Sequence, residues 1–178
     1  MKLKIKVKVF ENGTLPTIID KGDWIDLTSR EVIEFKGPQA KMLHKNKNGE
    51  IVERRRDVSF EEITYIKLGV AMQLPAGYEA IQCVRSSTPK RHGIICANAI
   101  GIIDNTYCGD TDEWCCPVLA LRHTIIDTKS RISQFRIQLS QKATMWQKIK
   151  WLFTSKIELV RVESLNNNVR GGLGSTGK

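Results

Sequence analysis

In "GIIDNTYCGD", Gly101 to Asp110, a carboxylate and a phenol stand three residues apart, Asp104 and Tyr107, at the end of an apolar run from Gly93 to Ile103. A carboxylate emerging from apolar surroundings is a candidate general base, because desolvation raises its pKa towards the range useful at neutral pH. The same residues also serve as ordinary turn formers where a strand ends. A second stretch with chemical potential closes the chain: "NNNVRGGLGSTGK", Asn166 to Lys178, with four glycines, three asparagines and the side chains of Arg170, Ser175, Thr176 and Lys178. It suits a solvated terminus, and it suits equally a loop whose backbone N–H groups approach an anion closely.

The elements that must position these groups are mostly strands. Leu3, Ile5, Val7 and Val9 alternate with Lys2, Lys4, Lys6 and Lys8, the period of a half-buried strand. Ile66, Leu68, Val70, Met72 and Leu74 fall on one face before a turn at Pro75 to Gly77, and extended runs follow at Tyr78 to Arg85 and Ile157 to Val162. This predicts an all-β sandwich or barrel. Between the first strands and that core a polar stretch, 36–62, carries the tight-turn pair Asn48-Gly49 and is expected to protrude as a loop or hairpin. Only "SQKATMWQKIKWLFTSK", Ser140 to Lys156, suggests a helix. Met145, Trp146, Ile149, Leu152 and Phe153 lie on one side of it, a pattern expected to pack on the domain rather than on a membrane surface.

The chain's 178 residues, 41% of them apolar and 26% charged, suffice for one domain with a core. No stretch approaches the length of a membrane span and no signal peptide opens the chain, so the expected address is the cytoplasm. Five cysteines without a C-x-x-C pair support neither a disulfide framework nor a zinc site and are expected as reduced thiols in or near the core. The net charge of +9 is dispersed, and its densest run, "ERRRD" at Glu53 to Asp57, is flanked by acids. That favours a solvated basic face or a small polyphosphate ligand over nucleic acid.

"GIIDNTYCG" resembles the third motif of the trimeric dUTP pyrophosphatases, the dUTPases, in which a G-x-I-D-x-x-Y-x-G hairpin holds the catalytic aspartate and the tyrosine that packs on deoxyribose. The other motifs follow in order. "KGDWIDLTS", Lys21 to Ser29, resembles the first, with Asp26 and Leu27 in its Asp-Leu positions; "VRSST", Val84 to Thr88, resembles the second; "SRISQFRI", Ser130 to Ile137, resembles the fourth, with Gln134 in the glutamine position; and "GGLGSTG" resembles the fifth. The matches run from Leu15 to the C-terminus.

The resemblance implies a distorted jelly-roll or barrel-like sandwich with one short helix, assembled as a homotrimer of shared sites. Residues 1–165 would form the β domain, with the insertion at 36–62, and 166–178 a flexible arm that closes over a neighbour's site. The implied reaction is Mg²⁺-assisted hydrolysis of dUTP to dUMP and pyrophosphate, which limits uracil in DNA and supplies dUMP for dTMP synthesis. Asp104 would act as the base. Arg85, Ser86 and Ser87 would bind phosphates, and Asp26 and Gln134 would reach the metal through water. Asn98 and the backbone at Ile102 and Ile103 would read uracil. Cytosine would leave fixed donors unpaired, at about 1–3 kcal/mol per buried group. Tyr107 would exclude a 2′-hydroxyl. Gly171, Gly172 and Gly174 would wrap the β- and γ-phosphates, assisted by Arg170, Ser175 and Thr176, with Leu173 at the position that lies over uracil. Neither nucleic acid nor membrane is implied as a partner.

Three departures stand out. Leu173 replaces a phenylalanine that lies over uracil, forfeiting stacking of roughly 0.5–1.5 kcal/mol. Asn168 and Val169 replace an Arg-Gly pair, with Arg170 adjacent, and "DTDEWCCP", Asp110 to Pro117, is unusually acidic, its carboxylates suited to solvated turns or to positioning metal. The alternatives are a dCTP deaminase or bifunctional deaminase of the same fold, which shares the Arg-Ser-Ser segment but has Asp-Pro-Gly where this chain reads Asp104-Asn105-Thr106, and a non-catalytic nucleotide-binding regulator, which would be expected to lose Asp104, Ser86 or Gln134.

Overall fold

The computed structural model describes residues 1–18, 22–36, 63–154 and 156–171, together with Asn48 and the backbone of 42–45 and 51–54. The first strand, β1 (Lys2–Val9), forms as its alternation requires: Leu3, Ile5 and Val7 are buried while Lys2, Lys4 and Lys6 face solvent. Among the described residues eight more strands precede the first helix: β2 (Thr17–Ile18), β3 (Ile25–Thr28), β4 (Ile33–Phe35), β5 (Met42–Lys45), β6 (Ile51–Arg54), β7 (Thr64–Lys67), β8 (Val70–Gln73) and β9 (Tyr78–Val84). Then come α1 (Thr88–His92), β10 (Ile94–Cys96), β11 (Gly101–Asp104), β12 (Cys115–Ala120), β13 (Thr124–Ile126), β14 (Arg131–Leu139), α2 (Met145–Leu152) and β15 (Lys156–Val162).

The strands pair into a five-stranded sheet, β11-β9-β14-β3-β2, two three-stranded sheets, β15-β1-β8 and β10-β12-β7, and the pairs β13-β4 and β5-β6. Among the described strands no sheet closes into a barrel. Inward side chains from these sheets, including Ile5, Ile66, Met72, Val118 and Phe135, meet in one buried cluster. Trp114 meets Phe135 edge to face, with ring centroids 5.1 Å apart.

Ile66, Leu68, Val70, Met72 and Leu74 are all buried, but the stretch is two strands, not one. Gly69, at φ 69°, turns the chain so that β7 joins β12 and β8 joins β1. Only glycine fits, since a Cβ there would lie 2.5 Å from the Cα of Gly13. The run from Gly93 to Ile103 divides likewise: β10 pairs with β12 and β11 with β9, so Asn98 to Tyr107 links two sheets and is not a self-paired hairpin. In the polar stretch 36–62 the backbones of β5 and β6 pair antiparallel, with Asn48 in the turn between them; Gly49 lies outside the described residues.

Among the described residues two helices are present where one was expected. The first, α1, is too short to show a helical period, and its signals are local: Ser87 at the N-cap, proline in the first turn, and Gly93 at φ 62° as the C-cap. The second, α2, starts at Thr144, whose side chain forms a capping box with Gln147. Its packing face differs from the expected one. Trp151 packs on Tyr78 at a tilt of 60° with centroids 5.5 Å apart, and Gln147 donates to the Ala76 carbonyl at 2.8 Å. Trp146 and Leu152, by contrast, are each 80% exposed. Two anchors four residues apart point the helix's large apolar stripe outward. Among the described residues no helix is long and apolar enough to cross a membrane.

Candidate functional site

The five-stranded sheet carries most of the chemical groups, in two separate places. On β3, Asp26 faces Gln134 of β14, and Gln134 in turn faces Cys83 of β9. The Asp26 carboxylate, 5% exposed, lies between two arginines: Arg85 Nε is 2.7 Å from Oδ1, and Arg131 Nη1 donates to Oδ2 at 3.2 Å. Arg131 was not singled out by the sequence. Strict alternation would put it on the face opposite Gln134, but the register shifts between Arg131 and Ser133, so that Ile132 and Ser133 both turn inward and Arg131 emerges beside Gln134. The bulge also seats the next segment. The Ile132 carbonyl accepts from the Arg85 N–H at 3.2 Å and from the Thr88 hydroxyl at 2.8 Å, holding Arg85, Ser86 and Ser87 over the end of β14.

The second place is the end of β11. Asp104 Oδ1 accepts from the Thr106 N–H at 2.8 Å and from the Thr106 hydroxyl at 2.5 Å, and Oδ2 accepts from Arg170 Nη1 at 2.5 Å. A carboxylate offers about four acceptor positions, so one remains on Oδ2 for a further donor. Burial pushes the Asp104 carboxyl up, but the Thr106 hydroxyl and N–H and the Arg170 guanidinium outweigh it, and the net displacement is downward. This corrects the expectation of a raised pKa: the side chain is held by donors rather than stranded among apolar groups.

Tyr107 packs against the core, and its hydroxyl donates to the Glu113 carbonyl at 3.0 Å. Burial, with Cys115, Asp112 and Glu113 nearby, pushes the phenol up to about 12, so it stays neutral. β11 is the outer strand of its sheet, and alternate residues turn their N–H and C=O groups away from β9. Ile102 is 67% exposed there, Ile103 packs inward, and the Asn98 amide lies over Gly101. A cleft of about 710 Å³ adjoins this end, lined by Lys4, Lys6, Gln73, Asn105, Thr106 and Asn168 among others. Its two lysines suit a polyphosphate.

These two groups do not meet within one chain. Asp104 faces Glu79 on β9 whereas Gln134 faces Cys83, four residues along, and Asp26 lies three strands from β11. At strand spacings this is roughly 13 Å along the sheet and 14 Å across it, on the order of 20 Å in all. Of the glycine-rich arm, Arg170 and Gly171 are described; Gly172, Leu173, Gly174 and Ser175 lie outside the described residues.

The acidic stretch has a structural use. Glu113 pairs with Arg30, Nε to Oε1 at 2.6 Å, and accepts from the Gly69 N–H at 3.0 Å, while Asp110 holds the backbone of Leu165 and Asp112 that of Arg170. The cysteines are free thiols, Cys116 buried and the others partly buried. Among the described residues no three His, Cys, Asp or Glu side chains converge to cage a metal ion.

No protein-family model matches the chain. It is 37% identical over 176 residues to the SPbeta prophage-derived deoxyuridine 5'-triphosphate nucleotidohydrolase YosS of Bacillus subtilis, covering 98% of this chain and 99% of the relative. Its fold is similar to that of a dUTPase from Streptococcus mutans, with TM-score 0.57 and 16% identity over 78% of this chain and 98% of that one. It is similar too to a variant of the dUTPase of phage phi11 of S. aureus, a structure described with a structural Mg(II) ion, at TM-score 0.54 and 16% identity over 79% and 94%.

Proposed function

The chain belongs to the dUTPase family, the deoxyuridine 5'-triphosphate nucleotidohydrolases, and from that premise we propose how its residues divide the work of the reaction. The chain hydrolyses dUTP. The products are dUMP and pyrophosphate, released when a water attacks the α-phosphorus in line with the departing pyrophosphate. Asp104 takes the proton of that water. The observation that carries this reading is the carboxylate's own setting: Thr106 and Arg170 hold it ionised and oriented, and one acceptor position on Oδ2 is left for the water.

Arg85, Ser86 and Ser87 bind phosphate oxygens, and the arm from Arg170 to Ser175 closes over the β- and γ-phosphates. Uracil pairs with the outer edge of β11 at Ile102 and Ile103, beside Asn98, and Tyr107 packs on the sugar. The separation of the two groups by on the order of 20 Å supports a homotrimer in which Asp104 of one chain works with Asp26, Arg85 and Gln134 of a neighbour.

Mg²⁺ fits this donor set by way of the substrate. Arg131 donates to Asp26 Oδ2 and Arg85 forms an ion pair at Oδ1, and the acceptor positions that remain, with the Gln134 amide alongside, would suit water carried by an ion held on phosphate oxygens. When bound, such an ion would supply positive charge to the phosphates. The reaction is assigned to the cytoplasm and its nucleotide pool.

The test is a product assay of purified protein with Mg²⁺, offering dUTP, dCTP, dTTP and UTP separately, with Asp104→Asn as control. dUMP and pyrophosphate are expected from dUTP alone, and not from the control. Deamination of dCTP would move the chain to the sibling deaminase, and full activity in the control would remove Asp104 from the role of base.

A further inference from the structure

The segment from Ser164 to Arg170 is tied to the loop that follows Asp104 by two carboxylates. Asp110 Oδ1 accepts from the Leu165 N–H at 2.8 Å, and its Oδ2 from the Ser164 hydroxyl at 2.7 Å and the Asn166 N–H at 3.3 Å; Lys8 lies 3.2 Å from Oδ1. Asp112, 2% exposed, accepts on one oxygen from the Gly109 N–H at 2.8 Å and from the Arg170 N–H at 3.1 Å. Between these anchors Leu165 is buried, Asn167 donates to the Cys108 carbonyl at 3.3 Å, and the backbone of Asn168 and Val169 lies directly on Gly109. A Cβ on Gly109 would come within 2.6 Å of the Val169 Cα.

The last anchor holds the backbone of the residue whose guanidinium reaches Asp104. A long arginine side chain loses much rotamer freedom when its head is fixed, and a contact made from an untethered terminus would also bear the cost of ordering the chain. Mooring the backbone at Arg170 removes most of that second cost before the contact forms.

We propose that Asp110 and Asp112 are positioning residues for dUTP hydrolysis: they root the C-terminal arm so that Arg170 is delivered to the Asp104 carboxylate. The sequence placed Arg170 among the phosphate-wrapping residues; here its guanidinium also reaches the Asp104 carboxylate. The proposal rests on the reading of Asp104 as the base, and it adds that the acidic stretch acts on catalysis through the arm.

The deciding readout is the pH dependence of kcat/KM for dUTP, whose acid limb reports ionisation of the free enzyme. With Arg170 in place the carboxylate ionises lower. Arg170→Gln is therefore expected to move the acid limb up, while Arg170→Lys, which keeps the charge, moves it less. Asp112→Ala, which frees the Arg170 backbone, is expected to produce the same upward shift, and the double variant Asp112→Ala/Arg170→Gln no further shift, because both act through one contact. Asp110→Ala, at a partly exposed side chain, repeats the test if Asp112→Ala loses the fold. An acid limb unmoved in the aspartate variants, or shifts that add in the double variant, would overturn the proposal. Asp104→Asn separates the two readings. If it is inactive while Arg170→Gln and the aspartate variants keep the wild-type limb, the mooring fails alone; if it is fully active, the base assignment fails first.

Discussion

If Asp104 serves a site whose Arg85 comes from another chain, two inactive variants must rescue one another. The perturbation is co-expression of Asp104→Asn and Arg85→Ala subunits carrying different tags, with tandem purification to retain only mixed particles. In a cyclic trimer each site draws Asp104 from one subunit and Arg85 from the next. Every mixed trimer, with either composition, then contains a single site that takes Asp104 from the Arg85→Ala subunit and Arg85 from the Asp104→Asn subunit. The expected activity is about one third of wild type per particle, against almost none for either variant alone. The structural basis is the separation of Asp104 from Arg85 within one chain, six residues of register along β9 from Glu79 and one strand spacing, on the order of 20 Å, which is too long for both to act on one phosphorus. Removing Arg85 leaves Asp26 paired with Arg131, so that variant should lose only about 2 kcal/mol and still fold, a point to be checked by chemical denaturation. The assay is pyrophosphate release from dUTP. Folded mixed trimers without activity would refute the shared site, as would a wild-type protein fully active as a monomer.

Two further predictions concern the rest of the molecule. Trp151→Ala should lower stability by about 2–3 kcal/mol in urea unfolding, since the ring packs on Tyr78, while Trp146→Ala at an exposed position should stay within about 0.5 kcal/mol; the reverse order would mean that the outward stripe of α2 is the packed one. The Cys96 thiol is brought down to about 6, chiefly by a hydrogen bond from Cys116, with burial opposing and the backbone at Asn98 assisting, whereas Cys116 is pushed up by that same contact and by burial. Cys96 should therefore be alkylated first at pH 7, with its labelling rate inflecting near pH 6 and Cys116 unmodified in mass spectra. An inflection between 8 and 9 would contradict the pairing.

The sequence by itself determined the features that depend on neighbours along the chain. Lysine alternating with aliphatic residues predicts β1 because side chains of a strand turn to opposite faces with period two. The G-x-I-D-x-x-Y-x-G spacing puts Asp104 at the end of a strand and Tyr107 one turn later, which the fold reproduces. The caps of α1 were present in "SSTPKRHG", but five residues are too few to show a helical period.

The tertiary structure decided what depends on distant partners. One extra residue in β14 brings Arg131 round to Asp26, an inversion that a period-two reading puts on the wrong face. The outward turn of the α2 stripe depends on Tyr78 and Ala76, some seventy residues earlier in the chain. The roles of Asp110 and Asp112 likewise depend on N–H groups more than fifty residues later. Local composition encodes which elements form and which chemistry they carry; ladder register, bulges and the groups that satisfy a buried carboxylate are set by long-range pairing, and those decide which side chains meet.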